Sequence, residues 1–262
     1  MLGYQFVHYE GYAREPSKNN KKQSARSVAL EAERAEGYCP HVYKPQSYIQ
    51  LYGVSPSKAV EIAEARAKKG TDTLGRKIRR DAQIILAGVA SYPTRASICN
   101  IEDKGFVEWL NLNHRFLKDT WGSRYISNVL HIDEEYLHIH FYIVPELDEN
   151  GFFNISQIHH GISSRDRIKD RPLKEKNRAY KTAMIKFQNA YYEEVGVPTG
   201  LTRLGASSRR LTRKEWMQEK NQSMLLKHNY AKNKLIEIEN SRLRNKIMFL
   251  NRRNNRGSNY EL

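Results

Sequence analysis

The sequence predicts an α+β domain, an antiparallel central sheet flanked by helices, followed by a basic α-helical tail. Three observations predict it. Runs of aromatic and β-branched residues recur at Tyr4–Tyr12, Asp81–Tyr92, Tyr125–Ile132 and Tyr136–Pro145, the composition of strands. Between them lie stretches with the apolar spacing and caps of helices. From Thr212 the composition shifts: proline is absent, glycine is absent until Gly257, and Lys, Arg, Glu, Asn and Leu dominate. The expected division is therefore 1–211 for the domain and 212–262 for the tail.

The elements follow in order. Tyr4–Tyr12 is the first strand, and the polar basic stretch Ser17–Arg26 reads as a loop. Ser27–Ala35 has helical composition and ends before Gly37. The segment GYCPHVYKPQ, Gly37–Gln46, is a connection. Ser57–Lys69 is a helix, with Ser57 a candidate N-cap and Gly70 just past its end. Asp81–Tyr92, bounded by charge and by Pro93, is a buried strand. Glu102–Trp121 spaces Phe106, Trp109, Leu110, Phe116 and Leu117 as a helix and stops at Gly122. Tyr125–Ile132 and Tyr136–Pro145 are strands, Pro145–Phe153 is a turn, and Asn177–Glu194 is an amphipathic helix stopped by Gly196 and Pro198.

The 262 residues carry 44 Lys plus Arg against 29 Asp plus Glu, a formal charge of +15. A surplus that large points to a polyanion, because basic side chains on phosphates release condensed counterions. The two cysteines, Cys39 and Cys99, form no Cys-x-x-Cys pair. That excludes a disulfide scaffold and fits a reducing cytoplasm. The first residues lack the pattern of a signal peptide, and no apolar run reaches the roughly 20 residues of a membrane span.

The chemistry concentrates in VLHIDEEYLHIHFYIVP, Val129–Pro145. Side chains alternate along a strand, so His138, His140 and Tyr142 share one face, expected to be exposed or to line a cleft. Ile139, Phe141 and Ile143 point into the core. If Asp133–Tyr136 turns a hairpin, His131 lies opposite His138. Three imidazoles on one face can hold a divalent ion and leave positions open for a substrate oxygen. Imidazole suits manganese, zinc or another divalent transition metal.

HIDEEYLHIHFYIVP, His131–Pro145, resembles a motif of the Mob/Pre plasmid mobilisation and recombination enzymes: His-x-Asp-Glu, three residues, then His-x-His-Phe. These are relaxases of the HUH endonuclease class. His131, Asp133, Glu134, His138, His140 and Phe141 match, while Leu137 stands where the family typically has proline. The flanks Glu31–Pro45, Phe106–Trp121 and Asn177–Arg203 are similar to the same family, so the resemblance spans about residues 1–215.

The resemblance implies an HUH relaxase fold and a single-strand nick at a plasmid transfer origin, with the enzyme left on the 5′ phosphate. It implies a divalent metal, manganese or magnesium first and zinc as a further option, held by His131, His138 and His140. Glu134 would complete the coordination or orient the nucleophile. Asp133 would support the ligands or cap the turn. The implied partners are plasmid DNA, including single-stranded DNA, and conjugation coupling or accessory proteins.

Many HUH enzymes use a tyrosine nucleophile, and Mob/Pre relaxases can use an N-terminal histidine. His41 in CPHV and Tyr12 in GYAR are the leading candidates, ahead of His8, Tyr9 and Tyr180. The family follows its histidine three residues later with arginine, where this chain has Lys44. Candidate phosphate contacts are Arg14, Lys21, Lys22 and Arg26; Lys44; Arg76, Lys77, Arg79 and Arg80; and Arg209, Arg210 and Arg213.

Two other readings stay open. A rolling-circle initiator or small transposase of the HUH class would carry a helical tyrosine with lysine one turn later, a spacing Tyr180 and Lys186 lack. A non-enzymatic basic DNA-binding protein with a structural metal would not need an open three-histidine site.

Overall fold

The computed structural model describes residues 3–16, 22–205 and 211–257. Five strands form one antiparallel sheet: β1 (Phe6–Ala13), β2 (Ile49–Gly53), β3 (Gln83–Arg95), β4 (Tyr125–His131) and β5 (Tyr136–Ile143), in the order β1-β3-β5-β4-β2. The helices are α1 (Ala25–Ala32), α2 (Pro56–Lys69), α3 (Lys104–Trp121), α4 (His160–Asp166), α5 (Leu173–Tyr191) and α6 (Arg213–Gly257). The expected α+β architecture is the observed one.

Alternation along β5 splits the sheet into two faces. Leu137, Ile139, Phe141 and Ile143 pack under Phe106, Trp109, Phe116 and Leu117 of α3 and Phe187 and Tyr191 of α5, forming the larger core. α3 ends at Gly122, whose φ of 57° is the left-handed conformation glycine adopts readily.

The other face is not open. α1 and α2 cover much of it through two alanine stripes, Ala25, Ala29 and Ala32 on one helix and Ala59, Ala63 and Ala67 on the other. These small side chains let both helices lie close to Ile85, Ala87 and Tyr142. Of the two expectations for the His138 face, the exposed one is thereby corrected: His131 and His138 are buried, and His140, half-buried, lines a cavity.

Several boundaries move. The cap of α2 is Ser55, whose Oγ accepts from Lys58 N at 3.3 Å, and Pro56 opens the first turn. Ser57, expected as the cap, instead donates its N–H and hydroxyl to the Glu33 carboxylate at 2.7 and 2.6 Å. β3 runs on through Pro93 to Arg95, and α5 starts at Leu173 and ends in a π turn, Tyr192–Gly196. β2 and α4 had no counterpart in the sequence reading. α6 touches the domain near its start, where Ser223 Oγ donates to Leu201 O at 3.1 Å and Lys227 pairs with Glu108 at 3.7 Å.

On the α3/α5 side lies a second group of imidazoles. His159 caps α4: its Nδ1 accepts from Ile162 N at 3.3 Å, so its Nε2–H faces the Tyr180 hydroxyl at 3.3 Å. Tyr9, buried here, sits 2.8 Å from His160 Nδ1. Tyr9 therefore lies on the opposite face of the sheet from His131 and His138. Burial pushes the His159 imidazole down to about 4. A histidine whose folded pKa is depressed stabilises the fold while neutral, fully above about 6.5, and loses that contribution as pH falls toward 4. Thermal stability should decline across that window, and His159→Asn should flatten the decline. An unchanged slope in the variant would show that His159 does not contribute to it.

Candidate metal centre

β4 and β5 form a hairpin in which His131 pairs directly with His138, and His140 follows two residues on along the same face. The three rings pack edge to face or tilted, with centroids 4.6 to 5.0 Å apart. One ring nitrogen from each can be brought within 4.8 Å of the others, the spread of ligand atoms around a single cation.

The hydrogen bonds settle which nitrogens face inward. His131 Nε2 lies 2.7 Å from Ala32 O, and His138 Nδ1 lies 2.8 Å from Tyr136 O. A carbonyl only accepts, so both of those nitrogens carry the protons. The other two, His131 Nδ1 and His138 Nε2, are 3.2 Å apart. In the neutral rings these two atoms present lone pairs to each other, an arrangement that a cation seated between them would relieve. A proton is disfavoured: burial, then the Arg34 charge, pushes His131 down to about 4, and burial and the neighbouring imidazoles hold His140 well below its ordinary value. Backbone carbonyls that fix the outer N–H are the usual support of a metal-ligating histidine. The donor set fits a divalent transition ion.

The acids beside the histidines are locked by a residue the sequence did not reveal. Arg34 follows α1 by two residues with φ 57°, and its side chain is 4% exposed against 1% for Asp133. It grips Asp133 with Nε at 2.9 Å and Nη2 at 2.7 Å, and reaches Glu134 Oε1 at 2.7 Å. Burial opposes ionisation of both carboxyls, but these bonds outweigh it and hold both below the usual carboxylate range. Asp133 Oδ2 also accepts from Gln46 N at 3.0 Å. The connection from Arg34 to Gln46 is thus closed at both ends on one carboxylate.

His41 rides on that closed loop. Its Nε2 is 3.8 Å from Glu134 Oε1 and 3.9 Å from Glu31 Oε1, while Glu134 Oε1 is 3.5 Å from His138 Nε2. Glu134 therefore stands between His41 and the histidine cluster. Tyr43, 93% exposed, and Lys44 lie beside His41, with the ammonium 5.7 Å from the ring centroid. Tyr12 approaches from β1: with His8, Val28, Glu31, Val89 and His140 it lines a cavity of about 250 Å³. Burial, then Glu10 and Glu31, pushes its phenol up to about 12. The sheet and loop thus bring His131, His138, His140, Glu134, His41 and Tyr12 into one region. Tyr180, bonded to His159, lies apart from it.

The basic candidates are scattered. Arg14 donates to the carbonyls of Ile78 and Arg79 at 2.6 and 3.0 Å. Arg76, Arg79 and Arg80 are ion-paired with Asp72, Asp81 and Glu15, and Lys77 is exposed beside them. That loop leads into β3 at Gln83, six residues or about 20 Å along the strand from the His140 level at Val89. Arg26 is exposed on α1, Lys22 pairs with Glu10 at 2.5 Å, and Arg213 opens α6. Lys21, Arg209 and Arg210 lie outside the described residues.

A helix-flanked antiparallel sheet with an imidazole cluster on one hairpin defines the class of this site. No protein-family model matches the sequence, and no curated protein matches it. Among solved structures the chain is similar to the MobM relaxase domain (MOBV; Mob_Pre) bound to a 23-nucleotide plasmid pMV158 oriT DNA in a Mn-bound crystal, with 16% identity over 69% of this chain and 85% of that one and a TM-score of 0.41. It is also similar to the MobM relaxase domain bound to a 26-nucleotide pMV158 oriT DNA, with 15% identity, coverage of 69% and 87%, and a TM-score of 0.39. No helix among the described residues is long and apolar enough to cross a membrane.

Proposed function

We propose that this chain is a metal-dependent relaxase that nicks one DNA strand at a plasmid transfer origin and remains joined to the 5′ phosphate, in support of plasmid mobilisation and recombination. The observation that carries the reading is the pair of inward lone pairs on His131 Nδ1 and His138 Nε2, 3.2 Å apart, with both outer nitrogens fixed on carbonyls. The His-x-Asp-Glu and His-x-His-Phe spacing and the charge of +15 support it further. Residues 1–211 form the nicking domain and 212–262 the tail.

His131, His138 and His140 would hold a divalent ion, manganese or magnesium ahead of zinc, which would supply positive charge toward the scissile phosphate oxygens. The chain's own groups do the rest. Glu134 and Glu31 flank His41 Nε2 at 3.8 and 3.9 Å and hold the ring beside the histidine cluster. The unprotonated ring nitrogen of His41 attacks phosphorus, a P–N bond forms, the P–O3′ bond breaks, and the 3′ oxygen leaves with a proton from water, whose hydroxide takes the remaining N–H proton of the phosphorylated ring. Tyr12 is the weaker nucleophile, because a phenol pushed up to about 12 stays protonated at neutral pH. Tyr43 offers a solvent-facing ring on which a base of the single strand can stack, and Lys44 a charge for its phosphate.

Mass spectrometry of the protein–oligonucleotide adduct tests this. His41→Ala should abolish covalent capture and keep DNA binding, Tyr12→Phe should keep most capture, and the adduct should be acid-labile as a P–N bond is. An acid-stable adduct lost in Tyr12→Phe would transfer the role to Tyr12. DNA binding with no nick and no adduct under any divalent ion would reject the enzyme and favour a binding protein.

A further inference from the structure

We propose that the cavity between β1 and the α4/α5 pair binds one nucleotide, its phosphate on Arg165 and Arg203 and its base on Ile162, Tyr180 and Met184. The cavity measures about 520 Å³, a size suited to a small ligand. It opens along β1, the edge strand of the sheet, on the side of Tyr9 and His159. His8 lines it and also lines the smaller cavity that Tyr12 and His140 share, so the edge strand stands between the two.

The polar groups that reach this cavity are mostly donors. His159 Nε2–H donates to the Tyr180 oxygen, so the Tyr180 O–H proton is left for a further acceptor. The Tyr180 ring lies against Gly161, where an added Cβ would fall 2.5 Å from it, so α4 holds that ring in place. Gln83 buries its amide oxygen against Gly11 without a hydrogen-bond partner, which leaves its N–H groups as the end a ligand can meet. Arg203 is partly buried. Its Nε donates to Asn189 Oδ1 at 3.0 Å, and among the described residues no carboxylate pairs with it. Burial holds this guanidinium below its ordinary value. Arg165, exposed, meets Asp166 at 3.5 Å. The Glu10 carboxylate in the cavity is already met by Lys22 at 2.5 Å and by His8 at 3.4 Å. A partly buried charge without a counter-charge is costly, and an anion relieves it.

The remaining wall says what else the ligand carries. Ile162, Tyr180, Met184 and Ile185 give it apolar surface and one aromatic ring, which a bare inorganic anion would leave uncovered. Guanidinium forks fit phosphate oxygens, and an aromatic ring among apolar neighbours fits a base. The two halves together describe a nucleoside monophosphate, supplied either as one nucleotide of a DNA strand or as a free nucleotide. The strand source rests on the relaxase reading above. The cavity and its donors do not.

Titration calorimetry of the full chain with dTMP, thymidine and a single-stranded oligonucleotide tests the proposal. The same titrations in His138→Ala/His140→Ala discount any nucleotide held through an ion at the histidines. Thymidine, which lacks the phosphate, should bind at least about 10-fold more weakly than dTMP, the effect of losing charge-assisted hydrogen bonds. Arg203→Gln should weaken binding about 10-fold and Tyr180→Phe several-fold, with both variants folded by circular dichroism. A loss that extends to the oligonucleotide supports the site and names the strand as its source; a loss confined to dTMP supports it and names a free nucleotide. Wild-type affinity for both ligands in either variant overturns the site, as does a wild type that binds neither. Strand nicking that persists in those variants would leave the relaxase reading standing, and dTMP binding without any nicking would count against that reading alone.

Discussion

Replacing Arg34 with methionine is expected to destabilise the fold by about 3–5 kcal/mol, the range for removing one member of a buried ion pair. The guanidinium answers two carboxylates at once, and Asp133 is buried with it. Without it Asp133 keeps only the Gln46 amide. Urea denaturation should show a lower midpoint with little change in slope. Lysine should not rescue, because one ammonium cannot reproduce the two-pronged grip. Arg34→Met combined with Asp133→Leu should recover a large part of the loss. A single variant within about 1 kcal/mol of wild type would mean that Arg34 is not the anchor of the hairpin turn.

The second large effect concerns His138 and His140. An ion that binds only the folded chain stabilises it by about 2.7 kcal/mol at 100 times its dissociation constant. Manganese should therefore raise the melting temperature of the wild type and leave His138→Ala/His140→Ala unmoved. Nicking should fall by more than about 100-fold, beyond the loss typical of disturbing only a ligand's support. The metal-free double variant should still fold, since it loses the facing lone pairs of His131 and His138 along with the packing of the two rings. Nicking preserved in the double variant would move the metal elsewhere.

The hairpin was legible because its signal is local. A period of two put His138 and His140 on one face, and a four-residue turn placed His131 opposite. The end of α3 at Gly122 was readable from its glycine, but Pro93 misled, since β3 continues through it to Arg95. β2 was not, because IQLYG is an edge strand with four of its five residues exposed and shows no alternation. α4 has seven residues, too few to show a helical period. Arg34 was invisible for another reason: its partners are 99 and 100 residues away, and nothing local distinguishes it from the other basic residues. The misplaced cap of α2 is a lesson in proline, since Pro56 fits the first helical turn and thus points to Ser55. The buried histidine face went unseen because the alanine stripes of α1 and α2 read as helix propensity, not as a cover.

Three successive residues at the end of α1 each hold a different element. Ala32 O receives the His131 proton, the Glu33 carboxylate receives Ser57 at the start of α2, and Arg34 clamps the hairpin turn. This junction sets the tempo of the site. An ion seated among His131, His138 and His140 is expected to leave faster when α1 undocks, because α1 packs over this face and Ala32 O holds the His131 ring. Removing a chelator-sensitive ion should then be slow, limited by local unfolding, and amides of residues 25–46 should exchange together once it has gone.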